Sequence, residues 1–221
     1  MAAFSLAAQQ GADGVELDAQ LCATGEVVVL HDASLGRTTG FAGLLAETTW
    51  SRIRTLDAGA RKAARWAGER VPLLAQVLSE TPRSLLVNVE LKCEAADDRG
   101  LTAEVIRLIR EARAQERVLL SSFNPLCLLR ARSLAPHLPR ALLFERAAAW
   151  PLRSALAAPL AHALHPEAVL ATEDRVSGWR RRGYAVGAWT VDELEVATRL
   201  WTIGVAGIIT NVPALLFAQF G

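Results

Sequence analysis

Short apolar runs rich in valine, leucine and isoleucine alternate with stretches in which apolar residues recur every three or four positions. The runs fall at 14–19 (GVELDA), 27–30 (VVVL), 85–91 (LLVNVEL), 118–121 (VLLS), 140–144 (RALLF), 162–164 (HAL), 185–190 (AVGAWT) and 205–210 (VAGIIT). Several are apolar almost throughout, the pattern of parallel strands covered on both faces. Helical spacing is clearest over 101–114 (LTAEVIRLIREARA), with shorter stretches at 126–134, 173–182, 192–200 and 213–220. Asp192 stands where a helix cap is needed, with Glu195 three residues on as its capping-box partner. Strand and helix alternating in one direction predict a parallel sheet.

No GxGxxG follows the first strand and there is no P-loop. The strand–helix unit repeats along the whole length, which favours an α/β fold of the TIM (β/α)8 barrel type over an open doubly wound sheet. The count falls one strand short. Run 27–30 follows 14–19 after a turn-like CATGE, too soon for a parallel crossover, so it is expected to form a hairpin or side ribbon. Seven barrel strands remain, and the chain opens on a helix-like LAAQQGA. The expected fold is therefore a barrel lacking its first strand, with the edges of strands 2 and 8 unpaired. Residues 33–70, rich in Gly, Thr, Arg and Trp, break the rhythm and are expected as a small insertion after strand 2. Residues 147–161 are low in complexity and expected as a packed surface helix and loop.

Composition narrows the class. The 221 residues suit a single domain over 1–221, and 52% hydrophobic with 21% charged residues excludes disorder. Basic and acidic residues balance, 24 against 23, which leaves no electrostatic case for nucleic acid or an anionic membrane. Cys22, Cys93 and Cys127 are scattered and odd in number, with neither zinc spacing nor a disulfide framework. The opening MAAFSLAAQQ lacks the basic region of a leader, so a reducing, cytoplasmic setting is expected. Residues 201–221 carry no charge, but Thr202, Thr210, Asn211, Pro213 and Gln219 interrupt them. A buried strand followed by a short helix accounts for that stretch better than a membrane span.

The candidate chemistry gathers at strand ends. Glu16 and Asp18 are two apart in one strand, so both carboxylates share a face, roughly 6.6 Å apart along it. Two anions facing inward need a cation or a proton, or else they pair with arginines at the barrel mouth. Glu90 and Lys92 repeat the spacing at another strand end. Together these acids form either a hard-cation site with oxygen ligands or part of an internal Glu–Lys ion pair. His31, closing the VVVL run, is either a structural hydrogen bonder or a general acid or base. Trp189 and Phe123, also at strand ends, read equally as substrate wall or as core. His165 follows a strand and could reach the rim, while His137 and His162 read as loop or strand-edge residues. Arg180, Arg181 and Arg182 read as a solvated helix end. No GxSxG elbow is present.

The ordered set GADGVELD, VVVLHDASLGRTT, IRTLDAG, VPLL, VNVELK, SSF, LHP, AWTVDE and GVAGIITNVP resembles the glycerophosphodiester phosphodiesterase family, from about Phe4 to Leu216. The resemblance implies a TIM barrel with a small insertion and a divalent cation, Ca²⁺ or Mg²⁺, at the substrate phosphate. It puts the metal-binding carboxylates on Glu16, Asp18 and Glu90, the phosphate-contacting lysine on Lys92, and one of two catalytic histidines on His31. Trp189 falls on the tryptophan of the family's WTV motif. The reaction implied is hydrolysis of a glycerophosphodiester to glycerol 3-phosphate and an alcohol. Alternatives are a phospholipase D-type lipase acting on lysolipids, or a non-catalytic phosphate-binding member. Family members open with a strand carrying His-Arg-Gly, then Glu-Asn ahead of Thr-Leu-Ala-Ala-Phe. This chain begins inside the last of these motifs, at Met1-Ala2-Ala3-Phe4. The departure implies a misassigned start, a truncated chain or a degenerate member, with turnover impaired for want of the second histidine; the open edges of a seven-stranded remnant would need a partner strand, a rearranged N-terminus or pairing into a homodimer.

Overall fold

The structure is a computed structural model that describes residues 1–93, 95–146 and 160–221. Eight strands form one curled sheet: β1 (Gly14–Leu21), β2 (Val27–Val29), β3 (Leu86–Leu91), β4 (Val118–Ser122), β5 (Arg140–Phe144), β6 (Ala163–Pro166), β7 (Ala185–Ala188) and β8 (Gly207–Ile208). Their order is β2-β1-β3-β4-β5-β6-β7-β8. Seven strands run parallel, and β2 pairs antiparallel with β1. The hairpin expected from the short CATGE connection is therefore present. β2 also covers Ala19–Leu21 on the outer edge of β1, so only the first half of that edge lacks a strand partner. The expectation of two wholly unpaired edges is corrected to that extent. Among the described residues, no strand pairs with the outer edge of β8.

Helices cover the outer face. They are α1 (Ala2–Gln9), α2 (Gly36–Thr39), α3 (Trp50–Ile53), α4 (Leu74–Glu80), α5 (Leu101–Glu111), α6 (Pro125–Leu134), α7 (Glu173–Arg181), α8 (Leu194–Thr202) and α9 (Pro213–Phe220). Burial alternates along β1: Leu17 and Ala19 are buried toward the helices, which leaves Glu16, Asp18 and Gln20 on the inner face. One apolar cluster joins β1, β3 and β4 to α4, α5 and α6. A second joins β5 to β8 with α7, α8 and α9. Residues 33–70 form α2, α3 and two 3-10 turns, and pack Leu35, Leu45, Ile53 and Leu56 against Cys22, Val28 and Leu30 in a third cluster.

At the base of the sheet two buried arginines gather carbonyls. Arg117 donates to the carbonyls of Leu78, Pro82 and Leu85 and to Thr81 Oγ1. Arg140 does the same for Pro136, Leu138 and Leu160. Each takes up oxygens at the ends of helices and turns that would otherwise be buried without a donor.

Two local expectations are corrected. Asp192 caps no helix, since α8 begins at Leu194 with Glu193 at its cap position and no side-chain cap bond. The Asp192 carboxylate instead accepts from Thr210 Oγ1 (3.0 Å), the Asn211 amide (2.7 Å) and Asn211 Nδ2 (2.9 Å), fastening the turn after β8. Three donors from Thr210 and Asn211 outweigh the local cap. His165 does not reach the rim. It points inward from β6 and is buried against Gly187, where a Cβ would lie 2.9 Å from the imidazole. The arginine run is solvated at the end of α7, as expected. The surface-helix expectation for 147–161 falls mainly on 147–159, outside the described residues.

Candidate functional site

The register of β1 and β3 brings the acids together. Glu16 lies opposite Asn88 and Asp18 opposite Glu90. Oxygens of Glu16, Asp18 and Glu90 all lie within 4.8 Å of one another. Such a span fits oxygens on opposite sides of one cation at about 2.4 Å each. Lys92 completes the group, with Nζ 3.2 Å from both Asp18 Oδ1 and Glu90 Oε1. The ion-pair reading of the sequence is met, with the lysine set among the same acids that the cation reading invokes.

Electrostatics explains why the group needs a counter-charge. Burial, reinforced by Asp18 and Glu90, pushes the Glu16 carboxyl up to about 8, against the pull of Lys92. Burial also raises Glu90, and Lys92 only partly offsets it. Burial pulls the Lys92 ammonium down, but Glu90 and Asp18 outweigh it and hold the group above its ordinary value. A proton on Glu16 and the charge on Lys92 thus do part of what a divalent cation would do. Three carboxylate oxygens within 4.8 Å of one another could hold such an ion.

His31 stands just beyond β2, where the ladder with β1 ends. The last rung is the Leu30 amide donating to the Asp18 carbonyl at 3.0 Å. The His31 side chain is 65% exposed, so packing does not hold it. Its Nδ1 lies 2.8 Å from Asp32 Oδ1. Arg37 grips both oxygens of Asp32, through Nε and, at 2.8 Å, through Nη2. The Arg37 and His31 hydrogen bonds hold the Asp32 carboxyl far below the usual carboxylate range. An ionised carboxylate can only accept, so His31 Nδ1 carries the proton and Nε2 is left free to accept one. A charged imidazole here would pull the Glu90 carboxyl down, which puts His31 within electrostatic reach of the acids.

Phe123 and Trp189 meet edge to face, ring centres 5.5 Å apart and planes at 85°. Trp189 Nε1 donates to the His165 carbonyl at 2.8 Å, and both rings are half-buried at the ends of β4 and β7. The two rings pack against each other at these strand ends, neither wholly buried nor wholly exposed. His165 meets these rings through its backbone carbonyl, the acceptor of the Trp189 bond. Burial lowers its imidazole to about 4.

Two residues at the site were not legible as candidates. Arg37 lies within the quoted GRTT, but its partner Asp32 is known only from the fold. Gln20 continues the alternation of Glu16 and Asp18, and its amide turns toward the residues around His31.

Comparisons with known proteins bear on the family and the fold. The model of the Glycerophosphoryl diester phosphodiesterase family matches residues 1–215. A glycerophosphodiester phosphodiesterase of Caldanaerobacter subterraneus subsp. tengcongensis is 38% identical over 98% of this chain and 89% of its own. One from Bacillus altitudinis is 32% identical over 96% of this chain and 88% of its own. An Oleispira antarctica phosphodiesterase, solved with the product sn-glycerol-3-phosphate, superposes with a TM-score of 0.90 at 29% identity, covering 98% of this chain and 88% of that one. The chain therefore belongs to the glycerophosphoryl diester phosphodiesterase family, a family of enzymes built on this barrel.

Proposed function

We propose that the chain hydrolyses a glycerophosphodiester to glycerol 3-phosphate and an alcohol, with Glu16, Asp18 and Glu90 holding a divalent cation, Ca²⁺ or Mg²⁺. The carrying observation is the convergence of these three carboxylates within 4.8 Å, within electrostatic reach of an exposed imidazole that bonds Asp32. The bound ion would polarise the phosphoryl oxygen and neutralise charge that builds on it. Lys92, already shared between Asp18 and Glu90, has a third N–H to direct at a phosphate oxygen. His31 Nε2 takes or returns the proton of the attacking or leaving oxygen, with Asp32 keeping the proton on Nδ1. Phe123 and Trp189 bound the apolar side of the substrate and exclude water from it. Turnover by the 221 residues is expected to be slow. Among the described residues His31 is the imidazole placed within reach of the acids, and want of a second acid/base group costs about 10²–10⁴-fold. The three cysteines, all free, suit a cytoplasmic setting. Among the described residues no helix is long and apolar enough to cross a membrane.

The test is calorimetric titration of Ca²⁺ and Mg²⁺ into the wild type and Glu90→Ala, alongside release of glycerol 3-phosphate from glycerophosphocholine with and without a chelator. Metal binding that Glu90→Ala leaves unchanged removes the metal assignment. Turnover that survives exhaustive chelation removes the metal dependence.

A further inference from the structure

The exposed His31 must be held by something other than packing, and the inner face of β1 holds it. Gln20 is the third residue, after Glu16 and Asp18, on that face. Its Nε2 lies 2.6 Å from the Leu30 carbonyl, 3.1 Å from that of His31 and 3.2 Å from that of Asp32. Three acceptors converging on one side-chain atom require it to be the amide nitrogen, whose two N–H bonds are shared among them. These carbonyls begin where the β1–β2 ladder stops, so the side chain takes over where backbone pairing ends.

We propose that Gln20 is a positioning residue for His31: a strand-borne amide that pins three successive carbonyls of the 30–32 turn and so sets the imidazole over the acidic cluster. The inference rests on the reading of His31 as the proton-carrying group. Glu16, Asp18 and the clamp sit on one extended strand, so their separation is set by strand geometry, about 6.6 Å for each two residues. The imidazole is thus fixed at two points. Asp32 and Arg37 orient the ring, and Gln20 locates the backbone from which it projects. Small misplacements of a reacting group cost up to about 10²-fold in rate.

The experiment compares Gln20→Leu, Gln20→Glu and Gln20→Lys with His31→Ala, reading kcat, KM, Ca²⁺ affinity and Tm. Gln20→Leu and Gln20→Glu are expected to lower kcat about 10–100-fold, with KM and Ca²⁺ affinity within about twofold. Gln20→Lys, which restores N–H donors, is expected to recover most of the loss. A space-filling role would instead rank glutamate, the closest shape, above lysine. The Gln20→Leu change should cost nothing further in the His31→Ala background. A readout independent of turnover is the His31 ring resonance, assigned among four histidines by its loss in His31→Ala. It should shift toward the free-imidazole position in Gln20→Leu and stay near wild type in Gln20→Lys. If His31→Ala is impaired while Gln20→Leu keeps kcat and the ring resonance, this inference falls alone. If His31→Ala turns over as wild type, the reading of His31 falls and takes this one with it.

Discussion

His31 Nδ1 lies 2.8 Å from Asp32 Oδ1, a hydrogen bond between sequence neighbours that Arg37 makes rigid by gripping the same carboxylate. The pair is a ring-orienting device of a kind acid/base sites use, assembled within one turn. Replacing Asp32 with alanine frees the imidazole to rotate and to carry its proton on either nitrogen. The expected result is a fall in kcat of about 10²-fold with little change in KM, measured by steady-state kinetics on glycerophosphocholine. Arg37→Met should give a smaller loss in the same direction, because Asp32 keeps its bond to His31.

Metal binding should depend on pH through Glu16. Its carboxyl keeps a proton up to about 8 in the metal-free protein, and a cation binds the ionised form. Binding therefore releases a proton below that value. Affinity for Ca²⁺ should rise with pH and level off near 8. Calorimetry in buffers of different ionisation enthalpy measures the released proton directly, and equal heats across buffers at pH 6.5 would contradict it.

The same group predicts how stability varies with pH. Unfolded, Glu16 ionises near 4.5; folded, it holds its proton to about 8. The folded state binds more protons between these values, so this contribution is present below 4.5 and is lost as pH rises toward 8. The metal-free protein should melt at a lower temperature at pH 8 than at pH 5.5 on this account, and saturating Ca²⁺ should reverse the order. Differential scanning calorimetry at the two pH values, with a Glu16→Gln control, checks it.

Removing the counter-charge tests the ion-pair half of the site. Lys92→Met leaves Asp18 and Glu90 without their 3.2 Å partner. The metal-free variant should melt several degrees lower, with the deficit largely restored by Ca²⁺ because the ion supplies the missing charge. Turnover should stay low even when the metal site is full. Full activity in metal-saturated Lys92→Met would show that the lysine only balances charge.

Far from the site, Arg117 tests the base of the sheet. It serves the carbonyls of Leu78, Pro82 and Leu85 from a buried position. Arg117→Met keeps an unbranched stem but removes the guanidinium and strands those oxygens, and should cost about 3 kcal/mol by urea denaturation, at roughly 1–3 kcal/mol for each group left unpaired. Metal affinity should not change.

Much of this molecule is written locally. The valine-rich runs specify their strands because a β-branched, apolar segment buried on both faces has few other places to go. The CATGE spacing alone excludes a parallel crossover and so places β2 in a hairpin. The alternation in Glu16-Leu17-Asp18 puts both carboxylates on one face, since the period of a strand is two. What local pattern cannot specify is which faces meet. Asp192 reads as a helix cap, yet it binds Thr210 and Asn211, eighteen and nineteen residues away, because three donors converge there only after β7 and β8 pair. Chain order leaves His165 able to reach the rim, but the missing side chain of Gly187 opens an inward berth for it. The β1–β3 register sets Asp18 opposite Glu90 and brings Lys92 between them, and with it the shifts on Glu16 and Glu90. The amino-acid order determined the elements, their faces and the residue types that could do chemistry. Tertiary structure decided the partners, because Coulomb and hydrogen-bond energies depend on distances of a few ångströms that chain order does not contain.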